Sequence, residues 1–261
     1  MATWVVGDVQ GCYRTLDRLA HRLGWRRGRD RVVLCGDLVN RGPRNTDVLR
    51  WARDHGAEAV LGNHDVHLLA RAAGLAEPKR RDTIDDVLAA PDRDELLAWL
   101  RARPLVWRDG SFVVVHAGLL PAWSPADADR LAREAEAAVR GRFAELWAAP
   151  VADAWDAGLA GLARARFVLA VMTRLRVCDG DGRVDLAFDR APAAAPRKLA
   201  PWYELRRAPE TVVFGHWSAL GLHVADRAIC LDTGCVWGGP LTALCLDDRK
   251  LASEPCIDRP L

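Results

Sequence analysis

Apolar residues fall along this chain in two rhythms. Short continuous runs close on a glycine: Trp4-Val5-Val6 before Gly7, Val32-Val33-Leu34-Cys35 before Gly36, and Ala57 to Leu61 before Gly62. Between them the spacing opens to three and four. Leu16, Leu19, Ala20 and Leu23 share one helical face, and Val48, Leu49 and Ala52 share another. Strand, glycine, polar tip and helix, repeated through the first third, predict an α/β sheet with its chemistry at the strand ends. In the middle, Asp92 with Glu95 has the spacing of a capping box opening a helix from Arg93 to Ala102, which Pro104 ends. Phe112-Val113-Val114-Val115 is a further buried strand, ending on His116. Ser124-Pro125 fits an N-cap with proline at the first helical position, opening an amphipathic helix to about Arg142. Residues 65–165 are therefore expected to be a helix-rich cap. The last third returns to strands: a turn at Asp179-Gly180-Asp181-Gly182, a Pro/Ala loop from Ala191 to Pro201, then strands at Thr211–Phe214, Ala228–Leu231 and Leu241–Leu246.

Size and charge narrow the classes. The chain has 261 residues, half of them hydrophobic, enough for one large core with a cap. A net charge of +2 does not suit a protein that coats a polyanion, so DNA is not an expected partner. It leaves room for a small anionic substrate gripped by local arginines, and Lys79, Lys198 and Lys250 are the only lysines. The seven cysteines are scattered, with no CxxC pair. The N-terminus lacks a secretory pattern, and no apolar run approaches the roughly 18 residues needed to span a bilayer. The expectation is a cytoplasmic protein without a membrane partner.

Five of the strand ends carry metal-ligating side chains beside glycine: Gly7-Asp8-Val9-Gln10-Gly11, Gly36-Asp37 through Arg41-Gly42, Gly62-Asn63-His64-Asp65, His116-Ala117-Gly118 and Gly215-His216-Trp217. A single Gly-Asp is an ordinary turn, and a single histidine after a strand is more often a packed loop residue. Five in order are a pattern. Carboxylates, amide oxygens and imidazoles suit Mn, Fe, Co, Ni or Zn rather than Ca.

This set resembles the calcineurin-like metallophosphoesterases, whose pattern is GDxHG, GDxxDRG, GNHD/E, HAG/HGG and GH. The resemblance implies an α/β fold of α+β layers: a central β-sandwich flanked by helices, with a helical cap, in one domain over 1–261. It implies two divalent metal ions and an activated water that attacks phosphorus in line. Asp37 would bridge the ions, Asp8 would bind the first, and Asn63, His116 and His216 would complete the second. His64 would protonate the leaving oxygen and Arg41 would hold a phosphate. Two positions depart from the superfamily pattern. Gln10 stands where that pattern has a metal-binding histidine, and either ligates through its amide oxygen or acts through water. Asn40 stands where the phosphatases have an aspartate that partners the acidic histidine.

Four stretches are similar to the bacterial symmetrical bis(5'-nucleosyl)-tetraphosphatases: Gly62 to Ala70, Thr173-Arg174-Leu175-Arg176 with Cys178, Phe214-Gly215-His216-Trp217, and Leu231 to Gly239. That resemblance covers nearly the whole chain and absorbs both departures. It implies symmetric hydrolysis of diadenosine tetraphosphate to two ADP with manganese or cobalt. Arg41, Arg174 and Arg176 would grip phosphates, and Trp217, Trp237, Trp202 or Tyr203 would stack on adenine, with Trp217 foremost. Nucleoside-tetraphosphate caps on RNA 5' ends would fit the same site. A protein serine/threonine phosphatase and a catalytically silent nucleotide-binding protein are the competing readings. Cys12 and Cys235 flank motifs and are read as packing residues.

Overall fold

Each parallel strand of the protein ends where a polar loop begins, and the fold stacks two sets of such ends side by side. The structure is a computed structural model, described over residues 1–258. The first half runs β1 (Thr3–Val6), α1 (Tyr13–Arg22), β2 (Arg31–Leu34), α2 (Asn45–His55), β3 (Glu58–Ala59), α3 (Asn63–Ala72), α4 (Asp85–Leu88), α5 (Arg93–Arg101), β4 (Val106–Asp109) and β5 (Phe112–Val115). Then come α6 (Pro125–Gly141), α7 (Phe143–Ala148), α8 (Gly161–Arg174), β6 (Val177–Cys178), β7 (Val184–Asp185), β8 (Ala200–Pro201) and α9 (Trp202–Leu205). The chain closes with β9 (Thr211–Phe214), β10 (His223–Val224), β11 (Ala228–Cys230), β12 (Pro240–Cys245) and β13 (Leu251–Pro255).

One sheet has the order β13-β12-β1-β2-β3, the other β10-β11-β9-β5-β4, with a small third sheet β7-β6-β8. In the first, β1, β2 and β3 are parallel; in the second, β5, β9 and β11 are parallel. Period-two alternation explains the sandwich. Val5, Val33 and Leu244 from one sheet share a buried core with Val114, Val213 and Ile229 from the other. Their neighbours Val6, Val32, Leu34, Val113, Val115, Val212 and Phe214 face away, into a larger core with Leu16, Leu19, Val48 and Leu49 of the flanking helices. Each such side chain contributes roughly 1.5–3 kcal/mol when fully buried. Among the described residues no helix is long and apolar enough to cross a membrane.

The expected elements form, with informative differences. Ser124 accepts from the Asp127 N–H at 3.1 Å with Pro125 in the first turn, as the spacing requires. Asp92 makes no cap bond. Its carboxylate is taken by Arg50 at 2.6 Å and Arg53 at 3.2 Å, both on α2. The third strand shortens to Glu58–Ala59, and beyond it the Leu61 N–H turns away to the Pro104 carbonyl. Helix α8 and strands β4 and β13 carry no clean period and were not predicted. The N-terminus of α1, which has no side-chain cap of its own, is held from far away. Asp258 accepts from the Arg14 N–H at 3.2 Å, the Thr15 N–H at 2.8 Å and the Thr15 hydroxyl at 2.7 Å.

Candidate metal centre

The carboxyl ends of six parallel strands open onto one place. β1, β2 and β3 deliver Asp8, Asp37 and Asn63; β5, β9 and β11 deliver His116, His216 and Asp232. Two glycines make the approach possible. A Cβ on Gly62 would lie 2.2 Å from Asp37 Oδ1, and one on Gly215 would lie 1.9 Å from Asp8 Oδ1. Strain gathers here too. Gln10, Asp37, Asn40, Arg41 and His216 all adopt positive φ, and among the described non-glycine residues only Arg249 joins them.

The predicted ligands largely come together. One ligand atom each from Asp37, His116 and His216 lie within 4.8 Å of one another. His116 Nδ1 donates to the Cys35 carbonyl at 2.8 Å, which turns Nε2 toward Asp37 Oδ1 at 3.3 Å. The Asn63 side-chain amide reaches both rings, 3.2 Å from His116 Nε2 and 2.8 Å from His216 Nδ1. A carboxylate, an amide and two ring nitrogens thus converge on one point, a set of groups that a cation can join. Asp8 is pinned by the His216 backbone N–H at 3.1 Å. Gln10 is buried in the same loop as Asp8, its backbone N–H donating to the Asp37 carbonyl at 2.8 Å.

Charge follows position. Burial pushes Asp8 well above the usual carboxylate range, with Asp232 adding repulsion. Burial likewise lifts Asp232 to about 6 and Asp65 to about 7. For Asp37 the upward push of burial is outweighed by His116 and His64, which hold it well below its ordinary value. Burial alone would lower His116, but the Asp37 carboxylate carries it up to about 10. Burial takes His64 down to about 4 and His216 well below its ordinary value. Buried carboxylates and imidazoles crowd together so closely that His116 and Asp8 hold on to protons that a divalent ion would replace, and this donor set fits divalent metal ions.

His64 sits at the edge of the cluster, its Nε2 3.8 Å from Asp37 Oδ2. Its other nitrogen is governed by Asn40. The Asn40 oxygen accepts from the Arg41 and Thr83 N–H groups at 2.9 and 3.1 Å, so its amide NH₂ faces His64 Nδ1 at 3.0 Å and Asp82 Oδ1 at 3.0 Å. Nδ1 is therefore an acceptor, and the neutral ring carries its proton on Nε2, toward the cluster. Asp82 also takes His67 Nε2 at 2.8 Å.

Arg41, Arg174 and Arg176 line the cleft above these residues. Arg176 is held by the Phe188 and His216 carbonyls, both at 2.8 Å. Arg41 donates to the Arg81 carbonyl at 2.6 Å. Trp217 is corrected: it is 1% exposed, packs edge-on against Phe188 and donates its indole N–H to the Arg190 carbonyl. It offers no open face to a substrate. Trp202 is fully buried as well, while Trp237 is 56% exposed.

Asp232, Asp65 and Asp82 were not singled out beforehand. Asp65 accepts from both the Gly62 and Leu38 N–H groups at 2.9 Å, tying the Asn63 and Asp37 loops together. Its place three residues after Gly62 is the capping-box spacing that could have found it.

A family profile described as calcineurin-like phosphoesterase matches residues 1–218. A protein of Methylobacillus flagellatus named bis(5'-nucleosyl)-tetraphosphatase, symmetrical, is 46% identical over 98% of this chain and 96% of its own. One of the same name from Methylococcus capsulatus is 48% identical over 95% of this chain and 92% of its own. A crystal structure described as a candidate diadenosine tetraphosphatase matches with a TM-score of 0.68 and 27% identity, covering 97% of this chain and 93% of that one.

Proposed function

The chain belongs to the calcineurin-like phosphoesterases, in the branch of the symmetrical bis(5'-nucleosyl)-tetraphosphatases, and on that premise we propose that it splits diadenosine tetraphosphate symmetrically into two ADP. Asp8, Gln10 and Asp37 would hold one divalent ion, and Asp37, Asn63, His116 and His216 a second, with manganese or cobalt the expected metals. When bound, such ions supply Lewis acidity and activate a water. Arg41, Arg174 and Arg176 offset charge on the flanking phosphates.

The observation that carries this reading is Asn40. It supplies an amide donor to His64 where an acidic partner would supply a carboxylate, so His64 is a neutral Nε2–H donor rather than a cationic acid. A departing alkoxide, as from phosphoserine, needs a proton from a strong acid. A departing ADP is a stable anion and needs only a hydrogen bond. The site therefore suits phosphoanhydrides and disfavours a protein serine/threonine phosphatase.

Of the expected cap over residues 65–165, β4 and β5 belong to the second sheet, so the helix-rich cap is α6 and α7, with α8 continuing to Arg174. The seven free cysteines accord with a cytoplasmic setting. The open surface around Trp237 leaves room for a chain continuing from the nucleoside, so nucleoside-tetraphosphate caps on RNA are a second substrate class. Product analysis with diadenosine tetraphosphate and Mn or Co tests the proposal: ADP alone is expected, and AMP with ATP would overturn it.

A further inference from the structure

Two tryptophan-bearing pockets flank the metal cleft, and the cleft shares its wall with each. Asn63 and Arg174 line both the cleft and a pocket containing Trp147 and Arg166. Arg41 and Asp82 line both the cleft and a pocket containing Trp237, Arg80 and Arg81. The geometry points to two unlike nucleoside subsites: one at half-buried Trp147 and Arg166, called closed below, and an open one at exposed Trp237. This inference rests on the dinucleotide reading above.

The closed subsite is built for an anion with a flat group attached. Arg166 and Arg174 both stand on α8, eight residues and so about 12 Å apart along its axis. Both are partly buried, and burial weakens the proton hold of each, with Arg174 adding repulsion on Arg166 and the Asp37 carboxylate partly offsetting the effect on Arg174. Two guanidiniums held in one wall suit a phosphate. The Arg166 guanidinium lies 4.7 Å from the Trp147 ring centroid, and its Nε is buried without a hydrogen-bond partner. Indole and guanidinium planes are both surfaces on which bases stack. The apolar remainder of the wall, buried Val66 and Leu169 with exposed Val151 at the rim, offers a stacked base an apolar side. On the other side Trp237 is more than half exposed, with arginines and the aspartates Asp82, Asp85 and Asp86 around it. A base there stays wet on one face. One end of the substrate is therefore held firmly and the other loosely, although the molecule is symmetric.

Calorimetric titrations of the Mn-loaded protein with ADP and with inorganic tripolyphosphate test this. Trp147→Ala is expected to weaken ADP binding about tenfold while leaving tripolyphosphate unchanged. Trp147→Phe is expected to restore most of it. Trp237→Ala should leave ADP affinity alone and raise KM for diadenosine tetraphosphate about threefold. Unchanged ADP binding in Trp147→Ala, or an equal loss for tripolyphosphate, would overturn the closed subsite. An unchanged KM in Trp237→Ala would overturn the open one. Failure of the wild type to release ADP from the dinucleotide would instead sink the functional reading, and ADP binding would still report on Trp147.

Discussion

The two sheets bring different chemistry to the same place. The first ends in oxygen donors, Asp8, Asp37 and Asn63, on loops that adopt left-handed conformations at Gln10, Asp37, Asn40 and Arg41. Those loops are laced to one another: Gln10 N–H to the Asp37 carbonyl at 2.8 Å, Gly11 N–H to Leu38 at 2.9 Å. The second sheet ends in the imidazoles His116 and His216, with Asp232 behind them. Its rings are aimed from outside, His116 by a carbonyl of the first sheet. On the proposed assignment the first ion takes Asp8, Gln10 and Asp37 from the first sheet alone, while the second draws Asp37 and Asn63 from the first sheet and His116 and His216 from the second. Binding of the second ion would then be coupled to docking of the sheets.

Asp37 is where the two sets meet, and its removal breaks the comparison most severely. Asp37→Asn is expected to abolish turnover and to cost metal affinity more than the ~10–100-fold typical of residues behind the ligands. Elemental analysis after desalting checks this; a variant that retains two metals per chain refutes the bridging role. A second change sharpens the comparison within the first sheet. Exchanging the pair, Asn40→Asp with Asp82→Asn, puts a carboxylate directly on His64. The turnover ratio of a phosphoserine peptide to diadenosine tetraphosphate is expected to rise at least about tenfold, because His64 becomes a proton donor to a poor alkoxide leaving group. An unchanged ratio argues that His64 does not reach the leaving oxygen.

Metal-free protein tests the seam by pH. His116 titrates at about 10 when folded, above its ordinary 6.5, and Asp8 is also raised. The folded state then binds more protons than the unfolded one, so stability falls as pH rises from about 6.5 to about 10. With EDTA the melting temperature is expected to decline over that window, and with Mn the decline should vanish, since the cation replaces the protons. A flat or rising metal-free profile contradicts the crowding described above. The smallest effect lies outside the seam. Asp258→Ala removes the cap of α1 and is expected to cost about 1 kcal/mol, or roughly 2–4 °C in melting temperature, with the metal content unchanged.

The strand ends were legible because each sets a ligand beside a glycine that its own backbone demands. Asn63 and His216 could be found that way, since Gly62 and Gly215 touch Asp37 and Asp8. Trp147 and Arg166 could not, because they sit on two different helices and no spacing links them. Trp217 was misread for a related reason: it follows His216 directly, but its indole turns away from the cleft into packing with Phe188. Asp92 had the spacing of a cap, and two arginines some forty residues earlier in the sequence took its carboxylate. Short-range patterns see neighbours along the chain. They do not see competition from across the fold.

The position of β1 has a consequence for how the protein comes into being. It lies in the interior of its sheet, pairing with β2 on one side and, from Trp4 to Cys245, with β12 on the other. During synthesis the β2 edge can be satisfied early, but the other edge stays bare until residue 245 has left the ribosome. Until then the nascent chain exposes a strand edge beside Asp8, the kind of edge that invites pairing with another chain. The enzyme's first strand must therefore wait for almost its last before its second edge is covered, and the segment left waiting is the one that leads into Asp8.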